Sequence, residues 1–148
     1  MMRAMNRPKQ VEAKIIGNNG CYFLAIINGA ERYMRHKGNP VSVDIINLYE
    51  KAADEGWIGK DCYIQRPDCI VAEILGVSPD RVKVSKMPLN YVPAEDEIEI
   101  TRYEKEGTGV TFSHFVETRN GEVLYDPYGS SSTVTNGVPV SKRIIKVM

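Results

Sequence analysis

The sequence of 148 residues has little of what marks several large protein classes. No charge of one sign prevails: nineteen Lys and Arg balance nineteen Asp and Glu. Proteins that bind nucleic acid or membrane surfaces carry a basic excess, so neither kind of partner is expected. No apolar run approaches the roughly 18 residues of a membrane span. Cysteine is sparse and odd in number, at Cys21, Cys62 and Cys69. That argues against a disulfide scaffold and suits a reducing compartment. Met1 to Gln10 is polar and basic with no apolar stretch behind it, unlike a secretory signal. Repeats and low-complexity tracts are absent too. What remains, at 43% hydrophobic and 26% charged, is an ordinary globular composition. The expectation is a single cytoplasmic domain over residues 1–148, with residues 1–10 a flexible lead-in.

Several chemistries are also missing. There is no phosphate loop, no dinucleotide fingerprint and no Gly-x-Ser-x-Gly elbow. Cys62, Cys69, His36 and His114 do not follow a metal-ligand spacing, so no metal and no cofactor is implied. Cys69 reads as core packing, His36 as a solvated helix end, and the lone Trp57 as an anchor for a neighbouring helix.

The order of elements is legible from periodicity. Gly17 to Gly20 reads as a turn. From Cys21 to about Arg35 the chain is apolar on every side, which predicts a helix buried on all faces. After the Asn39-Pro40 break, Ser42 is placed to cap a second helix with Asp44 in its first turn, ending near Gly56. A third helix runs from about Pro67 to Leu75, with Gly76 at its exit. Beyond Pro79 the pattern changes to alternation. Residues 81–87, 97–103, 110–118, 122–128 and 140–147 read as strands, and 130–136 as a polar loop. Helices first and an antiparallel sheet afterwards is an α+β fold.

Three residues carry potential chemistry. Cys21 follows Gly20 at the start of the buried helix. A helix N-terminus favours a thiolate, an adjacent imidazolium favours it further, and the same N–H groups suit a developing oxyanion. His114 lies in the third strand, and Asp126 ends the fourth. Between them, Asn120-Gly121 is a hairpin signal with two possible registers. A two-residue loop puts Phe115 opposite Asp126 and sends His114 and Asp126 to opposite faces. A three-residue loop, Arg119-Asn120-Gly121, puts His114 directly opposite Asp126 through a bulge at Gly121. The three-residue loop is the expectation. It would let Asp126 accept from His114 Nδ1–H and leave Nε2 for the thiol.

The order Cys on a buried N-terminal helix, then His on a strand, then Asp on the next strand, resembles that of papain-like cysteine peptidases. Gly20-Cys21-Tyr22-Phe23-Leu24-Ala25 resembles the nucleophile helix. Ser113-His114-Phe115-Val116, the Asn120-Gly121 turn and Val123-Leu124-Tyr125-Asp126-Pro127 resemble the His and Asp strands of the bacteriocin-leader-processing subgroup. The chain is also similar to small uncharacterised bacterial, phage and plasmid proteins of that fold. The resemblance implies a Cys21-His114-Asp126 triad acting on a peptide, isopeptide or related amide of a peptide or protein substrate. Members carry a Gln shortly before the Cys that completes the oxyanion hole. Lys14 to Ile16 holds none, and Asn18 or Asn19 stands as the amide donor instead. Two alternatives remain open: a non-catalytic interaction protein on this fold, and an acyl transferase using the same thiol chemistry.

Overall fold

The structure is a computed structural model and describes residues 9–148. Most of the expected lead-in lies outside the described residues, and its last two residues, Lys9 and Gln10, already belong to a helix. Helix α1 (Lys9–Asn19) continues through Gly17, where a turn was expected. The reason is the next residue. Gly20 N–H bonds to the Ile16 carbonyl at 2.8 Å, and a Cβ at Gly20 would collide with that same carbonyl oxygen. The break is thus a single glycine, which lets α1 end directly against the start of α2 (Cys21–His36).

Helix α2 is the centre of the fold. Phe23, Ala25, Ile26, Ile27, Gly29 and Ala30 are buried. Tyr22, Leu24 and Asn28 are only partly so and Arg32, Arg35 and His36 are exposed, so the burial expected on all faces to Arg35 stops at Ala30 and spares one side. Gly29 lets it pass low over the sheet, since a Cβ there would stand 2.5 Å from Ile98 Cγ2. Helix α3 (Ile45–Asp54) is capped by Asp44 rather than Ser42. The Asp44 carboxylate accepts from the Asn47 backbone N–H at 3.0 Å. A carboxylate two residues further on satisfies the orphan donor and the dipole together. Helix α4 (Pro67–Leu75) starts on its proline and ends on Gly76, whose φ of 71° is the left-handed exit expected there.

Five strands follow: β1 (Val82–Met87), β2 (Ile98–Gly107), β3 (Val110–Arg119), β4 (Glu122–Tyr125) and β5 (Val138–Val147). They form one antiparallel sheet in the order β1-β5-β2-β3-β4. The fold is therefore α+β. A short helix, α5 (Ser132–Thr135), occupies the expected polar loop.

The two faces of the sheet are filled differently. Val82, Ile98, Ile100 and Ile145 pack with Phe23, Ile26, Tyr49 and Ile70 in one apolar core. Each such side chain contributes about 1.5–3 kcal/mol by leaving water. The opposite face carries a buried polar network. Glu99 accepts from Lys142 Nζ at 2.9 Å, from the Thr118 hydroxyl at 2.6 Å and from Gly121 N–H at 3.0 Å. Because Thr118 donates to Glu99, its oxygen must accept from Thr101, 2.7 Å away. Burial alone would push the Glu99 carboxyl up, but these donors hold it below the usual carboxylate range.

Candidate functional site

Cys21 is the first residue of α2, half-buried, with a free thiol. The helical ladder begins at Leu24 N–H on the Gly20 carbonyl, 2.8 Å away. The N–H groups of the turn before it therefore have no partner inside the helix.

His114 and Asp126 meet, by a route the expected register did not include. Arg119 pairs with Glu122 and Thr118 with Val123, which is the two-residue loop and not the three-residue one. Asn120 and Gly121 both have positive φ, 51° and 87°, the geometry that favours Asn-Gly in tight hairpins. This register alone would separate His114 from Asp126. A bulge then intervenes: Glu117 pairs with Tyr125, so β4 carries one extra residue between the two pairs. One extra residue flips every later side chain to the other face. The flip returns Asp126 to the face of His114. His114 Nε2 and Asp126 Oδ1 are 2.6 Å apart, with side chains 2% and 5% exposed.

The nitrogens are also exchanged relative to expectation. Nε2 faces the carboxylate, and Nδ1 is the nitrogen left over. Nδ1 is buried and makes no full hydrogen bond. The Cys21 thiol is nevertheless close enough to act on the ring. Burial works against a proton on His114, but Cys21 and Asp126 together outweigh it and hold the ring above the ordinary histidine value. Burial likewise works against a charged Asp126. The His114 contact and the Tyr128 backbone N–H, at 2.8 Å, override it and hold that carboxyl low. Both shifts run in the direction that favours an ionised pair.

One aromatic contact covers the histidine, and a second joins helix α2 to the opposite face of β3. The Tyr128 ring stacks on the His114 imidazole at 4.5 Å and 13°. Asp126 was expected at the histidine and Tyr128 was not; the turn over residues 126–129 places both the carboxylate and a ring against the imidazole. On the other side, Tyr22 stacks on Phe115 at 4.4 Å. These are the residues that follow Cys21 and His114, so the stack ties the helix start to strand β3. Burial pushes the Tyr22 phenol up to about 12, with Arg143 acting against it.

Cys21 opens into a groove of about 510 Å³ between the helices and β1, β3 and β5. That is ordinary for a ligand site. Asn19 lines it beside Cys21, whereas the side chain of Asn18 lies outside what the structure describes. The helical wall contains two consecutive left-handed residues, Asp61 (φ 55°) and Cys62 (φ 61°). Such backbone costs about 1–3 kcal/mol per residue and gathers near functional sites. A smaller cavity of about 140 Å³, lined by Arg32 and Glu117, contains none of Cys21, His114 and Asp126.

The other candidates behave more simply. Cys69 is buried in α4, and burial pushes its thiol up. His36 is exposed at the end of α2, 4.0 Å from an exposed Glu95. Trp57 packs on the core where α3 ends. Among the described residues, no group of three or more His, Cys, Asp and Glu could hold a metal ion. No described helix is long and apolar enough to cross a membrane.

Fold and site together define an α+β protein in which a helix-start cysteine lines a groove and a buried imidazole–carboxylate pair, itself outside the groove lining, lies beside that cysteine. The chain belongs to the family described as "Protein of unknown function, DUF261", whose model matches residues 2–147. No curated protein and no solved structure matches it.

Proposed function

We propose that the protein is a papain-like thiol hydrolase that cleaves a peptide, isopeptide or related amide bond. The observation that carries this reading is the convergence at His114: a carboxylate 2.6 Å from one ring nitrogen and a helix-start thiol acting on the same ring. Three residues from separate elements, two of which each have a structural explanation alone, meet in the order that nucleophilic catalysis needs.

Each residue then has a role. His114 Nε2–H donates to Asp126, which fixes the tautomer and leaves Nδ1 to exchange a proton with the thiol. The Cys21 sulfur attacks the carbonyl carbon and its charge passes to the carbonyl oxygen. The N–H groups at the start of α2 are suited to hold that oxyanion, with Asn19 beside them. Collapse breaks the C–N bond while the imidazolium gives its proton to the leaving amine. Water, deprotonated by the neutral imidazole, then releases the acyl group and restores the thiol. Three free cysteines suit the reducing, cytoplasmic setting such a thiol needs.

The test uses iodoacetamide at pH 6 with peptide mapping, together with cleavage of a complex peptide mixture followed by mass spectrometry. Cys21 should be labelled first, and His114→Ala should slow that labelling by at least tenfold. Cys21→Ala should abolish cleavage. If His114→Ala labels as fast as the wild type, the hydrolase reading fails.

A further inference from the structure

The groove beside Cys21 has one wall that the catalytic reading does not explain. Lys86 on β1 and Arg143 on β5 are direct partners in the antiparallel register, and both line the groove. Like charges directly opposite on one face of a sheet destabilise it. Among the described residues neither has a carboxylate within ion-pair distance. Asp61, on the helical wall of the same groove, pairs with neither.

Arg143 is also held in place. Its guanidinium lies over the Phe115 ring, 5.5 Å from the centroid, and Nη1 donates to the Ser141 hydroxyl at 2.7 Å. A guanidinium offers five N–H donors in a planar fork that matches a carboxylate. The aromatic support removes much of the side-chain entropy that a flexible cation would lose on binding. Phe115 in turn stacks on Tyr22, the residue next to Cys21. A line of packed groups thus runs from the residue beside the candidate nucleophile to Arg143.

We infer that Lys86 and Arg143 form a carboxylate-recognition wall, and that the groove takes peptides carrying an acidic residue close to the scissile bond. The inference rests on the hydrolase reading, since it is Cys21 that fixes where the bond lies. An extended chain rises about 3.3 Å per residue, so a Glu or Asp within about three residues of the attacked carbonyl reaches the wall. The like-charge pair that strains the free sheet is neutralised when that carboxylate binds. Selection then comes from Arg143 as the fixed fork and Lys86 as the mobile second charge.

The experiment uses peptidyl vinyl sulfones that differ only by Glu or Gln at each of three positions next to the reactive group. Labelling of Cys21 is followed by mass spectrometry at low salt. At one position the Glu probe should react about fivefold faster than its Gln twin, the range open to a partly exposed ion pair. The ratio should fall toward one in the Lys86→Gln/Arg143→Gln variant. It should also fall in the wild type as salt rises, which needs no variant to fold. Equal rates for Glu and Gln probes at all three positions, with Cys21 still labelled by iodoacetamide at pH 6, overturn the acidic preference alone. Absence of iodoacetamide labelling at pH 6 removes the hydrolase reading and this inference with it.

Discussion

Two buried pairs, each with one carboxylate, hold this sheet, and they are built differently. Glu99 with Lys142 and His114 with Asp126 are equally shielded, with side chains no more than 5% exposed. Burial therefore does not tell them apart. Completeness does. Both Glu99 oxygens are engaged, and Lys142 donates a second bond to the Tyr91 carbonyl at 2.9 Å. At the other pair, Asp126 is satisfied by the ring and by Tyr128 N–H, but His114 Nδ1 is buried without a full hydrogen bond. A closed network favours one conformation. An imidazole with one nitrogen committed and one uncommitted beside a thiol is a group that can pass a proton.

The largest test of this contrast is Lys142→Ala. Removing one member of a closed buried pair leaves Glu99 charged and uncompensated, which costs about 3–5 kcal/mol. Urea unfolding should show that loss. A Glu99→Leu/Lys142→Met double variant should recover part of it, since the unpaired charge goes but Gly121 N–H still loses its acceptor. A loss below about 1 kcal/mol for Lys142→Ala would dissolve the distinction between the two pairs.

Next in size is Gly121→Val. Gly121 has φ 87°, where a β-branched residue is strongly disfavoured, so about 1–3 kcal/mol should be lost. The same turn feeds both pairs: its N–H reaches Glu99, and it sets the register that leads to Asp126. The variant should therefore shift the His114 ring resonances in an NMR titration as well as lower the melting temperature. A drop in stability with an unchanged His114 titration would uncouple hairpin and site.

That hairpin also marks the limit of what the sequence made legible. Cys21, His114 and Asp126 were readable because each sits at an element end or in an alternating run with a one-dimensional signature. So were α4, bounded by Pro67 and Gly76, and the central helix α2. The register was not, because Asn120-Gly121 is compatible with either loop. The extra residue in β4 shows only in pairing. The choice of ring nitrogen was equally hidden, since it depends on which edge of the imidazole the bulged strand approaches. Helix α1 was missed because Gly17, Asn18 and Asn19 read as breakers, while the break actually needed is the close approach at Gly20. Tyr128 and Arg143 were missed because stacking on a histidine, or facing a lysine across strands, leaves no local signal.

A smaller effect separates the pairs by pH. His114 is held above its usual value, so the stabilisation from its charge is fully present below about pH 6.5 and is lost as pH rises through that raised value. Asp126 is held low, so its contribution is present above about pH 3.9 and is lost as pH falls through the depressed value. The pair should be strongest between those limits. Asp126→Asn should cost about 1–3 kcal/mol at pH 5.5 and clearly less at pH 9. The cost of Lys142→Ala should not fall at pH 9, because there Glu99 stays ionised without its cation. A cost for Asp126→Asn that does not change with pH would mean the ring is not charged in the folded protein.

The smallest expected change in stability comes at the residue with the largest expected change in chemistry. Cys21 is half-buried at a groove mouth, so Cys21→Ala removes a side chain that the core does not need, and stability should move by less than about 1 kcal/mol. Cys69 is the internal control. It is 6% exposed within α4, and its loss should cost about 1 kcal/mol or more through the space it leaves. Reactivity should run the other way. Burial and the Asp68 charge keep the Cys69 thiol protonated, so at pH 6 it should stay unmodified by iodoacetamide while Cys21 is consumed. A single experiment, mapping alkylated peptides before and after urea unfolding, measures both properties. If Cys21 proves unreactive and its removal costs as much as that of Cys69, the thiol is a packing group. His114–Asp126 would then be a second structural pair, differing from Glu99–Lys142 only in having one nitrogen left without a hydrogen bond.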